Sequence, residues 1–218
     1  MEPNLENRLR RKVVAGAKLI FSKGLVNVGE GNLSIRAHES EDLFITPTLN
    51  QYEEMIESDV VHLRFDGKQI SEGKCASTEY RLHIAVYKAR PKIRCVIHTH
   101  SLYATMFSVA RKRIPVILEE MILFLGGSVN VSEFAPAHTD ILGETVVNTL
   151  GVRNAILMAN HGVLVCGRTM EYAVKTAELV EKIAMIYWGA SQIGKPVTIN
   201  KGVYSKLEKD FNSNVSTF

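Results

Sequence analysis

The chain lacks the features that would mark it for a special environment. Three cysteines, Cys75, Cys95 and Cys166, make an odd count with no CxxC or other close pair. No secreted disulfide framework is expected from them, and a reducing cytoplasm is the expected setting. No apolar run approaches the roughly 20 residues that a membrane span requires. Met1-Glu2-Pro3-Asn4 leads into charged residues rather than the apolar core of a signal peptide. An excess of one charge is also missing. The 26 basic and 23 acidic residues leave a net charge of +3, too even a balance to argue for nucleic acid. The densest basic run, Arg8, Arg10, Arg11 and Lys12, lies on a helical pattern and reads as a solvated face. No Pro/Gly/Ser linker and no repeat divides the chain, so residues 1–218 are expected to form one domain. With 46% hydrophobic and 22% charged residues, the composition is that of an ordinary globular protein. A chain this long buries roughly 70% of its unfolded surface without help from a disulfide.

Periodicity then supplies the elements. Leu9, Val13, Ala17, Ile20 and Phe21 recur at helical spacing, which predicts a helix over 5–23 with Asn4 as N-cap and Gly24 at its end. Leu33 and Ile35 alternate with polar neighbours, and Leu43-Phe44-Ile45 follows a charged turn, so two strands are expected there. A turn or two of helix is expected over 52–57. Residues 60–65 and 68–70 flank Asp66-Gly67, which signals a type I′ hairpin. Further helices are expected over 77–89 (stopped by Pro91), 101–111, 139–150 (capped by Thr139) and 170–191. Strands are expected over 94–98, 129–134, 155–158 and 163–165. Residues 115–124 are apolar, with no period that decides between helix and strand. The fold class that follows is α/β: a three-layer sandwich with a mostly antiparallel central sheet flanked by helices.

Three histidines carry the clearest chemical signal. His98-Thr99-His100 ends an apolar strand, where residues two apart point to one face with bases about 7 Å apart. Two imidazoles so placed can converge on one ion at about 2.0–2.1 Å. His161, in Asn160-His161-Gly162, sits at a sharp turn between two apolar strands, and Gly162 permits close approach of a partner. Together the three are candidate ligands of a divalent metal. His38, His62, His83 and His138 show no such pairing and read as surface or core residues. Glu79 follows Ser77-Thr78 at a helix start. It is either a partner of the helix dipole or a general base beside an anion site made of hydroxyls and helix N–H groups. Asn32 and Thr48 stand where strands meet loops, as turn formers or as donors to a phosphate.

Taken together, Gly31-Asn32-Leu33-Ser34, Ile45-Thr46-Pro47-Thr48, Glu72-Gly73-Lys74 with Ser77-Thr78-Glu79, Val96-Ile97-His98-Thr99-His100 and Asn160-His161-Gly162 resemble the class II aldolase/adducin-head family. These pieces stand in family order and near family spacing across residues 8–190. The resemblance implies a nine-stranded, mostly antiparallel sheet between helical layers. It also implies a homotetramer with active sites at subunit interfaces. By position it makes His98, His100 and His161 the metal ligands, for Zn²⁺ or another divalent ion such as Mn²⁺, Co²⁺ or Fe²⁺. Glu79 becomes the acid/base, which also ligates the metal when substrate is absent. Asn32, Thr48, Ser77 and Thr78 become the phosphate cradle. The implied activity is a metal-dependent retro-aldol lyase that cleaves a small phosphorylated ketose through a metal-stabilised enediolate.

Two departures stand out. Leu49 follows Thr48 where the family usually has glycine, and leucine is unsuited to a loop that demands positive φ. Where an aldolase of the family presents a tyrosine to the neighbouring subunit as proton donor, this chain has Leu118-Glu119-Glu120-Met121. Glu119 or Glu120 is therefore a candidate second acid/base or substrate contact. Other activities fit the same residues: decarboxylation of a 3-oxo sugar acid phosphate, or 4-epimerisation of a pentulose phosphate, whose family members carry aspartate in place of Glu79. A non-catalytic scaffold like the adducin head and an unrelated metallohydrolase with an HxH strand are the remaining alternatives.

Overall fold

The computed structural model of the protein describes residues 3–37, 41–49 and 51–217. Helix α1 (Pro3–Ser22) leads to strands β1 (Asn32–Arg36), β2 (Asp42–Ile45) and β3 (Val61–Arg64). Helix α2 (Tyr80–Ala89), strand β4 (Cys95–Thr99) and helix α3 (Leu102–Val109) follow. After a π-helical turn at Met121–Leu125 come β5 (Asn130–Val131), α4 (Asp140–Leu150), β6 (Ala155–Met158) and β7 (Gly162–Gly167). Two helices close the chain, α5 (Met170–Ile193) and α6 (Lys201–Thr217).

The strands form one sheet in the order β3-β2-β1-β4-β7-β6-β5. Every pairing is antiparallel except that of β5 with β6. Alternation sorts the side chains to the two faces. Leu33, Ile35, Cys95, Ile97, Val163 and Val165 pack into one cluster with α1 and α5 residues such as Val13, Ala17, Val180 and Ile183. Val96, Leu164, Cys166, Ile156 and Met158 pack on the other face with Leu82 and Val86 of α2 and Leu142 and Val146 of α4. The expected three layers are therefore present, with two cores. No helix is long and apolar enough to cross a membrane.

Local chemistry moved several boundaries. Asn4 lies inside α1, because Pro3, with its fixed φ, occupies the first turn. The end of α1 matches expectation: Gly24 has φ +68°, and Leu25 N–H donates to the Ile20 carbonyl at 3.0 Å. The helical turn expected over 52–57 is a 3-10 turn at Glu57–Asp59, where Asp59 accepts the Ile56 N–H at 3.0 Å. The 60–70 hairpin is not type I′. Of its two central residues only Gly67 has positive φ, and Gly67 N–H donates to the Arg64 carbonyl at 2.9 Å. This is the turn-plus-glycine form of a longer loop. Helix α2 starts at Tyr80, so Ser77 is not its N-cap. Its N–H and carbonyl are engaged by other groups: Ser77 N–H bonds Thr46 O at 3.1 Å, and Ser77 O accepts from Tyr80 N–H at 3.1 Å. Thr139 does cap α4, accepting the Leu142 N–H at 3.3 Å. The strand expected over 129–134 contracts to the edge strand β5. Seven strands, not nine, form the sheet among the described residues, and three isolated bridges lie beside them. His38 falls outside the described residues.

Strand β4 lies at the centre of the sheet, and Ile97 there is fully buried between β1 and β7. Ile97→Ala is expected to destabilise the fold by about 2–5 kcal/mol, read as a lowered midpoint in urea denaturation. A loss below about 0.5 kcal/mol, the range of surface substitutions, would show that this core is not as tightly packed as described.

Candidate active site

The register of the sheet builds the site. In β4, Val96 and His98 face the α2 side, and His100 follows two residues on. Asn32 of β1 stands opposite His98 across the β1–β4 ladder, so their side chains share that face. Glu79, at the N-cap of α2, meets them from the helix layer. His161 comes from the β6–β7 turn, closed by His161 N–H donating to the Met158 carbonyl at 3.0 Å. One ligand atom from each of His98, His100 and His161 lies within 4.8 Å of the others.

Two glycines make this approach possible. A Cβ on Gly162 would meet the Thr99 carbonyl at 2.5 Å and His100 Cδ2 at 2.8 Å. A Cβ on Gly31, which has φ +63°, would strike the His98 carbonyl at 2.6 Å. Only glycine fits either place. The His161 turn is braced further by Ser108 of α3. Its hydroxyl donates to Met158 O at 2.7 Å and accepts His161 N–H at 3.1 Å. Asn160, at φ +55°, accepts from Arg111 Nε at 2.9 Å.

Protonation follows from burial. His98 is wholly buried, which pushes its pKa down to about 4. It is therefore neutral at physiological pH and carries one proton. That proton is on Nδ1, which donates to the Val163 carbonyl at 2.8 Å. The bare Nε2 faces inward, 2.9 Å from His100 Nε2 and 3.2 Å from Glu79 Oε2. Burial lowers the pKa of His100 as well. Burial works to raise the Glu79 carboxyl, but His98, His161 and a hydrogen bond from Asn32 outweigh it and hold it well below the usual range. Asn32 Nδ2 donates to Glu79 Oε2 at 2.8 Å. Glu79 Oε1 is buried without a hydrogen bond among the described residues, yet lies 3.1 Å from His161 Nε2. Imidazole nitrogens converging on a buried carboxylate are what a divalent cation satisfies. An N₃O donor set suits zinc and its first-row neighbours.

A cavity of about 260 Å³ opens onto this cluster, with Asn32, Thr48, Ser77 and Thr78 in its wall beside Glu79, His100 and His161. Two loops form that wall. Pro47 bridges Ala76, and Thr48 N–H donates to Cys75 O at 3.0 Å. Leu49, on the cavity rim, takes φ +51°. The loop thus does require positive φ, and a leucine occupies it at some local cost. Glu119 and Glu120 are not part of this chain's cavity. Glu120 pairs with Lys182 at 2.9 Å.

Three residues were not assigned to the site by sequence. His138 lines the cavity, at φ +66°. His83 is buried and bonds Asn32; a signal existed, since it stands four residues from Glu79 on one helix face. Ser108 gave no signal, because a serine within a helix has no pattern of its own. His62 is the near-buried residue expected, stacked on Phe44 and 3.3 Å from Asp42.

The profile of the Class II Aldolase and Adducin N-terminal domain family matches residues 11–188. The chain belongs to this family. Among the relatives of this class II aldolase is the L-fuculose phosphate aldolase of Escherichia coli (strain K12), 33% identical over 193 residues and 88% of each chain. The 5-deoxy-D-ribulose 1-phosphate aldolase of Bacillus thuringiensis serovar kurstaki is 31% identical over 202 residues, covering 93% of this chain and 94% of that one. A solved L-fuculose 1-phosphate aldolase superposes with a TM-score of 0.89 at 29% identity, covering 94% of this chain and 96% of the other. Class II aldolases are metal-dependent lyases, and the histidine cluster is a place where this one can hold its ion.

If the three histidines hold the ion, His100→Ala should lose most of the bound metal. The protein should stay folded, because His100 is only partly buried. Elemental analysis beside a thermal melt checks this, and full occupancy in the variant would refute the ligand set.

Proposed function

We propose that this class II aldolase cleaves a small phosphorylated ketose by a retro-aldol reaction, with Zn²⁺ or another divalent ion such as Mn²⁺, Co²⁺ or Fe²⁺ on His98, His100 and His161. The observation that carries this is the meeting of the three imidazoles with Glu79 at the floor of a cavity walled by Asn32, Thr48, Ser77 and Thr78. The cation supplies charge stabilisation for the enediolate left when the carbon–carbon bond breaks. Asn32, Thr48, Ser77 and Thr78 offer amide and hydroxyl donors to the phosphate and so fix the substrate's direction. Glu79, beside the histidine cluster, would move the proton at the carbon that is nucleophilic in the reverse reaction. Its lowered pKa keeps it ionised, the form a general base must have. The fuculose and deoxyribulose phosphates named for the relatives are the substrates to test first.

The hydroxyl that becomes the aldehyde carbonyl must also give up its proton to a base, a second role beside the one proposed for Glu79. Glu119 and Glu120 would supply it to a neighbour's site across the interface of a cytoplasmic homotetramer. Decarboxylation of a 3-oxo sugar acid phosphate is the alternative kept open by Leu49 in place of the family glycine and by Glu119-Glu120 in place of the family tyrosine. Assay of phosphorylated ketoses and sugar acids with added Zn²⁺, Mn²⁺ or Co²⁺ separates the two: dihydroxyacetone phosphate appears in one case and CO₂ in the other.

Two outcomes are expected. Glu79→Gln should retain metal and substrate binding while turnover falls about 10²–10⁴-fold; steady-state kinetics showing turnover within a few-fold of wild type would remove Glu79 from the role. Sedimentation at micromolar concentration should give a tetramer, and a fully active monomer would eliminate the shared site.

A further inference from the structure

Helix α2 turns Glu79, His83 and Tyr87, each four residues from the last, toward β1. Strand β1 answers with Asn32 and Ser34 on that face. The five side chains form one buried chain of hydrogen bonds. Tyr87 OH lies 2.9 Å from the Ser34 carbonyl and 2.8 Å from Ser34 Oγ. Ser34 Oγ lies 2.7 Å from His83 Nδ1. His83 Nε2 contacts Asn32 Oδ1, and Asn32 Nδ2 reaches Glu79 Oε2 at 2.8 Å.

With Glu79 ionised, one arrangement of protons satisfies the groups from Glu79 to Ser34. The Glu79 carboxylate accepts only, so Asn32 must present its NH₂ to it. The Asn32 carbonyl then faces His83 and accepts from Nε2–H. That leaves His83 Nδ1 as an acceptor, which the Ser34 hydroxyl supplies. Burial keeps His83 neutral, its pKa pushed down to about 3, so it has one ring proton to place. Were that proton on Nδ1, the bare Nε2 would draw the Asn32 NH₂ toward it. The amide oxygen would then point at the carboxylate, two acceptors at hydrogen-bond distance in a dry site.

We propose that His83 is a positioning residue: by donating to Asn32 Oδ1 it fixes which end of the Asn32 amide meets Glu79, and so holds the carboxylate at the histidine cluster. The inference rests on the proposed role of Glu79, although its structural half can be tested without it. A buried histidine that merely fills the core would not care which of its nitrogens is replaced. His83→Gln and His83→Asn make that distinction. The glutamine amide can occupy the place of Nε2 and keep the donor to Asn32. The shorter asparagine matches Nδ1, keeping Ser34 but not Asn32.

The test measures both variants alone and combined with Asn32→Ala. His83→Asn is expected to lower kcat about 10–100-fold, the usual effect of losing a partner behind a site residue, while His83→Gln stays within a few-fold of wild type. In the Asn32→Ala background His83→Asn should add no further loss, because the two act in series. In the metal-free crystal structure of His83→Asn, Glu79 should leave its place between Asn32 and His98. Equal losses in both variants, losses that multiply with Asn32→Ala, or an unmoved Glu79 would overturn the proposal. A wild-type protein that cleaves no ketose phosphate would instead defeat the proposed function, and the position of Glu79 would still decide the case for His83. Should His83→Asn fail to fold, a metal-free His83→Gln structure with Glu79 displaced would overturn the proposal, and one with Glu79 in place would support it.

Discussion

Everything around the site answers to one constraint: a carboxylate has been taken out of water. Glu79 is only 8% exposed, and an isolated ionised carboxyl at such a place would be far too costly to keep. Its environment is arranged to keep it charged all the same. Asn32 is opposite His98 in the ladder, so the amide donor and the first imidazole reach Glu79 from one sheet face. His98 is held to a single tautomer by the Val163 carbonyl, which turns its lone pair inward. The glycines at 31 and 162 exist to let these strands and turns come that close. A cation on the proposed ligands would complete the balance, since the groups that need it are the ones able to hold it.

Much of this was legible in the sequence because it depends on short-range periodicity. The HxH pair in β4 and the alternation of Leu33 and Ile35 with Asn32 and Ser34 are period-2 patterns, and they fixed which residues share a face before any partner was known. Thr139 declared itself as a cap for the same local reason. Boundaries that depend on distant partners were not legible. Ser77 has the composition of an N-cap, but its N–H is claimed by Thr46 from another loop, so α2 begins at Tyr80. Asp66-Gly67 spells a type I′ turn, yet Asp66 stays out of the left-handed region and Gly67 alone takes it. His83 looked ordinary since its meaning lies in β1, about fifty residues upstream. Helix α6 carried no signal strong enough to be named.

Two residues at the cavity share a geometry. Leu49 and His138 both hold positive φ without being glycine, and both border the cavity. Its lining also includes Asn32, Glu79, His100 and His161, so the same wall that carries the candidate chemistry carries this backbone cost.

The β6–β7 hairpin has a consequence for biogenesis. It delivers the third imidazole, His161, and also the Val163 carbonyl that settles the tautomer of His98, some 65 residues earlier in the chain. On a ribosome, a nascent chain that ends before this hairpin can pair β1 with β4 and expose both histidines of the HxH strand. It still lacks the third ligand and leaves the ring of His98 free to carry its proton on either nitrogen. Both deficiencies disappear together when β7 docks beside β4. If these three histidines hold the ion, the complete ligand set exists only once β7 is paired with β4 and the central sheet is closed.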